Sequence, residues 1–271
     1  MPRIFSKWIK KVFFNFFRWR RIQSTHRKAI KRIQKKEEIR VVFFALHTGV
    51  WKYDLLYKKM VEHSLFTPII LVCPVVNYVF KNMLQEMETC YNMLEEKNFN
   101  VLRSYDALKN TYVDVKKNLN PDIIFYTNPY RGIIDERYYI TNFPDILTCY
   151  VPYSSMIINS NIQFNKHLCN FLWKSFVENS YSFDMSKKYM TNKGKNVVVS
   201  GFPSLDVLMD KTYQPKNGWK IDQKIKIIWA PHHTIEGTES INFATFLQFS
   251  DFMVELTKKY QEYIQVAFKP H

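Results

Sequence analysis

The chain has 271 residues, 39 Lys and Arg against 24 Asp and Glu, and a formal net charge of +15. Apolar residues make up 46% and aromatics 17%, enough for a sizeable core, so whole-chain disorder is excluded; six glycines exclude collagen-like and glycine-linker chains. Four cysteines (Cys73, Cys90, Cys149 and Cys169) form no C-x-x-C pair, so a disulfide scaffold or zinc knuckle does not fit, and buried free thiols in a reducing compartment are expected.

The charge is concentrated at the start. Residues 1–40 hold 14 basic residues and two acids, a net of +12, while residues 41–271 hold 25 and 22, a net of +3. At 100° per residue, Ile4, Phe5, Trp8, Ile9, Val12, Phe13, Phe16, Phe17 and Trp19 fall on one arc. Arg3, Lys7, Lys10, Lys11, Arg18 and Arg21 fall on the other, with Phe14 and Arg20 as exceptions. A basic amphipathic helix rich in Trp and Phe is the pattern of an element lying in a membrane interface. Trp8, Lys10, Lys11, Phe13, Arg18 and Trp19 are its candidate membrane-binding residues. Each cation near an anionic leaflet is worth about 1 kcal/mol. Lys10, Lys11 and Arg18 leave no apolar run of the ~18 residues a spanning helix needs. Asn15 interrupts the apolar stretch and no small-residue cleavage site follows, so it is no signal peptide. Packing on the protein's own core ranks second among the readings of this arm, and phosphate binding to nucleic acid third. Lys28, Lys31, Arg32, Lys35 and Lys36 extend the basic run onto a second helix ending before Arg40.

From residue 39 the pattern alternates. The run 39–46 (IRVVFFAL) has the length and continuous apolarity of a parallel strand buried on both faces. A helix over 51–63, a strand over 67–73 and a helix over 79–97 follow, then a strand over 100–103 and a helix over 106–118. Strands are predicted at 121–126 and 146–151, a helix at 165–178 and a strand at 196–200. Residues 212–224, with Pro215 and Gly218 and no periodicity, read as a linker. The cycle restarts with a strand at 226–229, a helix at 244–260 and a strand at 264–268. Alternation of this kind predicts an α/β protein with parallel sheets and right-handed crossovers. The predicted division is an arm over 1–38, an N-terminal Rossmann-like acceptor-side domain over 39–211, the linker 212–224, and a C-terminal domain beginning at 225. Two strands and one helix are too few for a stable domain, so 225–271 is read as the incomplete start of one.

Open α/β sheets bind ligands at the carboxyl ends of their strands. No G-x-G-x-x-G follows any strand, and no G-x-x-x-x-G-K-[ST], G-x-S-x-G or H-E-x-x-H is present, which disfavours dinucleotide binding, P-loop hydrolysis, an α/β-hydrolase and a zincin. His167 and Cys169 lie two apart without a second ligand pair, and no carboxylate cluster stands out, so no metal is expected. Histidines remain. His232, His233 and His271 follow successive strands of one predicted sheet, where imidazoles can donate to phosphate oxygens. His47 at the first strand end can act as a base or be an ordinary loop histidine.

Together the strand-end segments resemble a known family. Ser200-Gly201-Phe202-Pro203-Ser204-Leu205-Asp206 resembles the G-[YF]-P-x-x-D segment of the CDP-glycerol glycerophosphotransferase (teichoic acid polymerase-like) family. Ile228-Trp229-Ala230-Pro231-His232-His233-Thr234 resembles its hydrophobic-A-P-T/H strand end, and Lys269-Pro270-His271 its [KR]-x-H-P motif. The opening, with Trp51-Lys52-Tyr53-Asp54, resembles related bacterial capsule and lipooligosaccharide transferases. The resemblance runs from about residue 40 to the end, with the motifs in family order.

It implies a GT-B-like fold of two Rossmann-type domains, with a nucleotide-activated sugar or CDP-glycerol bound mainly by the second. It implies no metal or other cofactor, a lipid-linked or polysaccharide acceptor, and peripheral attachment to the cytoplasmic face of an anionic cell membrane. On this reading His47, His232 and His271 are catalytic, and His232, His233, Thr234, Lys269 and His271 hold donor phosphates. Gly201, Pro203 and Asp206 serve structure or the acceptor side; Asp206 is equally read as a helix cap. The family's W-H-G-T segment corresponds here to Tyr150-Val151-Pro152-Tyr153-Ser154, without histidine, which favours glycosyl over glycerophosphate transfer. The competing expectation is a non-catalytic basic-arm protein that binds anionic membrane or nucleic acid.

Overall fold

The computed structural model describes residues 20–156, 158–232 and 244–269. The chain divides into two compact units, Met1–Lys211 and Thr212–His271.

The first unit is built on a seven-stranded parallel sheet. Its principal strands are β1 (Ile39–Ala45), β2 (Phe66–Val72) and β3 (Val101–Arg103). After a small antiparallel hairpin of β4 (Tyr105–Asp106) and β5 (Thr111–Tyr112) come β6 (Ile123–Tyr126), β7 (Leu147–Tyr150), β8 (Lys174–Val177) and β9 (Val197–Val199). The spatial order is β3-β2-β1-β6-β7-β8-β9, with every neighbouring pair parallel. With the hairpin set aside, this is the doubly wound Rossmann-type order, which reverses direction between β1 and β6. The uninterrupted apolar run of β1 follows from that central place. Val41, Phe43 and Ala45 face one core and Val42, Phe44 and Leu46 the other, each no more than 2% exposed.

One face carries α2 (Asp54–Glu62) and α3 (Phe80–Glu95), the latter burying Met83, Met87, Cys90 and Leu94 at helical spacing. The other core is closed by short helical turns, by α5 (His167–Phe171), and by residues from Ile134 to Phe143. A short helix α4 (Asn161–Phe164) precedes α5, and α6 (Ser180–Tyr189) joins β8 to β9. All four cysteines are free and buried, and burial raises their thiol pKa values.

Helix α1, residues 20–33, belongs to this unit. His26, Ala29 and Ile33, spaced three and four apart, are each at most 8% exposed. Arg27, Lys28 and Lys31 face outward. Lys36 reaches the Asp122 carboxylate at 2.8 Å, and an Arg32 Nη donates to the Asp145 carbonyl at 3.1 Å. Both acids precede their strands, so the end of this basic stretch is fastened at the amino edge of the sheet. The membrane-binding candidates Trp8, Lys10, Lys11, Phe13, Arg18 and Trp19 lie outside the described residues. Among the described residues no helix is long and apolar enough to cross a membrane.

Two expected helices are corrected. Residues 106–118 form the β4–β5 hairpin and a five-residue π turn, Val115–Leu119. The Asp106 carboxylate accepts from the amides of Leu108 and Lys109, and Asn110 has φ 49°, so local turn chemistry overrides the helical pattern. Residues 165–178 split into α5 and β8, because the Asn196 amide donates to the carbonyls of Cys169 and Leu172, both at 2.9 Å, and ends the helix. The helix of this region begins later, where the Asn179 side chain caps α6 by accepting from the Ser182 amide.

In the second unit, β10 (Ile225–Trp229) and β11 (Ile264–Phe268) pair in parallel and are joined through α8 (Phe246–Lys259). Trp229 stacks on Phe246 with ring centres 5.3 Å apart. None of the described residues of this unit is buried.

Candidate functional site

The carboxyl ends of β1 and β6 meet at the point where the strand order reverses, the position at which such sheets place ligands. Here the backbone is stitched by buried hydroxyls. The Tyr53 hydroxyl donates to the Tyr126 carbonyl at 2.9 Å and accepts from the Val151 amide at 3.3 Å, linking the ends of β6 and β7. The Thr127 hydroxyl donates to the Phe44 carbonyl at 2.8 Å. Burial pushes the Tyr53 phenol far above its ordinary range, so it is a fixed strut.

On this frame sits the turn Thr48–Val50, preceded by His47. His47 is half-buried; burial lowers its pKa, and Glu86 on α3 works the other way. The turn runs close beside the ring: a Cβ at Gly49 would lie 3.4 Å from His47 Nδ1, an ordinary contact. An imidazole whose charged form is disfavoured by burial can serve as a proton acceptor.

Lys52 follows and is 8% exposed. Its Nζ donates to the Val50 carbonyl at 3.2 Å and lies 5.0 Å from the Tyr53 ring centre. Burial lowers its pKa from 10.5 to about 7. The flanking Trp51 and Asp54 are structural: the indole donates to the Asp54 carboxylate at 2.6 Å, and Lys97 pairs with the same carboxylate.

Further along the same edge, the segment after β7 holds no histidine but is backed by Glu178 at the end of β8. One Glu178 oxygen accepts from the Met156 amide at 2.7 Å and the Ser182 hydroxyl at 2.9 Å. The other oxygen is buried without a partner. Tyr130 and Tyr153, from the segments after β6 and β7, share a hydroxyl contact of 3.2 Å.

Gly201 and Pro203 lie at the end of β9. Gly201 has φ +87°, which a side chain would strain, and Pro203 opens a single helical turn. Asp206 is the exposed first residue of the short α7 (Asp206–Met209); the N-cap position belongs to Leu205, so the capping reading of Asp206 does not hold.

In the second unit, His232 follows β10 and Lys269 follows β11, and the Lys269 amide donates to the Trp229 carbonyl at 2.9 Å. Both therefore stand on one carboxyl edge. His233, Thr234 and His271 lie outside the described residues. Among the described residues no group of three metal-ligating side chains occurs. Neither Lys52, although it falls within the Trp51–Asp54 segment, nor Glu178 stands out from the sequence as a site residue. Lys52 lies in no nucleotide signature, and Glu178 ends a strand whose pattern reads as helix.

No protein-family model and no curated protein sequence matches the chain. Solved structures do resemble it. A UDP-N-acetylglucosamine 2-epimerase aligns at a TM-score of 0.51 and 10% identity, covering 84% of this chain and 63% of its own. The UDP-GlcNAc 2-epimerase from Neisseria meningitidis, bound to UDP-GlcNAc, aligns at 0.52 and 12% identity, covering 86% and 66%. The chain thus spans slightly less than two thirds of the length of either. At such identities the likeness shows the fold: α/β and GT-B-like, with a parallel Rossmann-type sheet.

Proposed function

We propose that this chain is part of a transferase that moves a glycosyl group, or less favourably a glycerophosphate, from a nucleotide-activated donor to a cell-surface polysaccharide or lipid-linked acceptor. The observation that carries this reading is the half-buried His47 at the point of strand reversal in the first unit's sheet. In this proposal the first unit holds the acceptor and His47 takes the proton from its attacking hydroxyl. His232 and Lys269 on the second unit's edge hold the donor phosphates, and His233, Thr234 and His271 are assigned the same role from the motif resemblance. The motif resemblance favours CDP-glycerol or a sugar nucleotide as donor, and the missing histidine at 150–154 favours the sugar. The basic stretch supports work at the cytoplasmic face of an anionic membrane, as a peripheral attachment.

The test is release of the nucleotide product by the full chain from CDP-glycerol, UDP-GlcNAc or a CMP-sugar, in the presence of lipid acceptor. We expect one donor to react and His47→Ala to lower turnover at least about 100-fold, the usual contribution of a general base. Unchanged turnover in His47→Ala removes its role. No turnover with any donor, with anionic vesicles still bound, favours the non-catalytic reading. Residues 1–19 are the proper deletion for the vesicle arm of the test, because α1 helps to fill the core.

A further inference from the structure

Lys52 is an anomaly that the transferase reading does not use. It is 8% exposed, and no carboxylate lies within ion-pairing distance of it among the described residues. Its Nζ has three N–H bonds and donates one, to the Val50 carbonyl. The neighbouring Tyr53 ring, 5.0 Å away, offers a weak cation site but no counter-charge. Lysine is almost never buried unless paired, because an isolated ammonium loses its hydration without return. The carboxylate two residues on, that of Asp54, is already committed to Trp51 and Lys97. Packing alone would be met as well by methionine or leucine. The place is also not arbitrary: Lys52 stands just past the turn that ends β1, where the strand order reverses and ligands enter.

We propose that Lys52 is an anion receptor whose missing counter-charge is a phosphate oxygen of the substrate. The amine that is unsatisfied in the free protein donates its remaining N–H bonds to that oxygen when substrate binds. The phosphate is either a phosphomonoester on the acceptor, which the first unit holds in the transferase reading, or free pyrophosphate; both present the same oxyanion. The proposal rests on the transferase reading only for the identity of the molecule that brings the phosphate.

The test is thermal unfolding of the full chain at pH 6.5, alone, with inorganic pyrophosphate, and with glycerol 3-phosphate. Binding to the folded state raises the midpoint. We expect a rise of several degrees with one of the two anions, which also identifies the source, and none in Lys52→Met. Without anion, Lys52→Met should melt higher than the parent, because an apolar chain replaces an unpaired buried cation. The parent's midpoint should climb between about pH 7 and pH 10, since its lysine is deprotonated in the folded chain while the unfolded chain still binds the proton. That climb should flatten in Lys52→Met. Where the methionine variant does not fold, Lys52→Gln, which keeps a donor for Val50 but no charge, should equally lose the anion response. A variant that keeps the full response makes the amine a structural donor and overturns the proposal, as does a folded Lys52→Met whose midpoint without anion lies below the parent's. Absence of any anion response in the parent also overturns it, while donor turnover would leave the transferase reading standing.

Discussion

The two units repeat one theme, parallel strands joined through a helix, with opposite results for burial. In the first, Phe43 on β1 is fully covered and its ring stacks on Phe125 at 4.9 Å. In the second, Ile225 and Ile228 on β10 are 65% and 64% exposed, and Phe252 on α8 is 57% exposed. The local sequences are equally strand-like and helix-like. What differs is the number of layers: seven strands can be covered on both faces, whereas two strands and one helix leave most apolar groups in water. The difference also separates two kinds of site. His47, Lys52 and Glu178 are held by a packed frame, while His232 is partly buried and Lys269 exposed in a unit with no buried described residue.

The sharpest way to break this contrast is Phe43→Ala. Deleting a fully buried aromatic ring from a central strand should lower unfolding free energy by about 3–5 kcal/mol, read from urea denaturation. A loss below about 1 kcal/mol would mean that the first unit is not the packed body described above.

Acid should act on the first unit through α1. His26 is 8% exposed and burial lowers its pKa from 6.5 to about 4. Between those values the unfolded chain binds the proton and the folded chain does not. Stability from this residue is therefore complete above pH 6.5 and falls as pH drops towards 4. The shift is worth roughly 3 kcal/mol. His26→Leu should flatten that part of the urea midpoint profile. An unchanged acid limb would detach α1 from the core.

Much of this frame was legible before the structure. The apolar runs of β1, β2, β6 and β7 were readable because central parallel strands are buried on both faces and carry no polar alternation. The hairpin at 105–112 and the α5–β8 break were not, because single side chains decide them from a distance or within a turn: Asp106 on two amides, and Asn196 on two carbonyls of a segment more than 20 residues earlier. The candidate site divides the same way. His47 was visible as a histidine after a strand. Lys52 was invisible as a site, since one lysine among 39 basic residues says nothing of burial. Glu178 was hidden by the helix reading of the strand it ends.

A smaller effect sharpens the role of the frame beneath the site. Tyr53→Phe keeps the ring but removes the hydroxyl shared by the Tyr126 carbonyl and the Val151 amide. Two buried backbone groups lose a partner, so a loss of about 1–3 kcal/mol in urea denaturation is expected. Turnover should fall with it, because the ends of β6 and β7 are then free to shift relative to the loop that carries His47. A stability loss with full activity would show that this stitching supports the fold but not the site.

The smallest effect belongs to the second unit. Phe252 on α8 is more exposed than covered, so Phe252→Ala should change stability by no more than about 0.5 kcal/mol, the range of ordinary surface substitutions. Its solubility should improve, because a large apolar group leaves a helix that already exposes Phe249 on the same side. A loss above about 2 kcal/mol would have a single physical meaning: that face is buried in solution, since only a covered aromatic returns so much on truncation. The contrast between the units would then be one of partners rather than of packing.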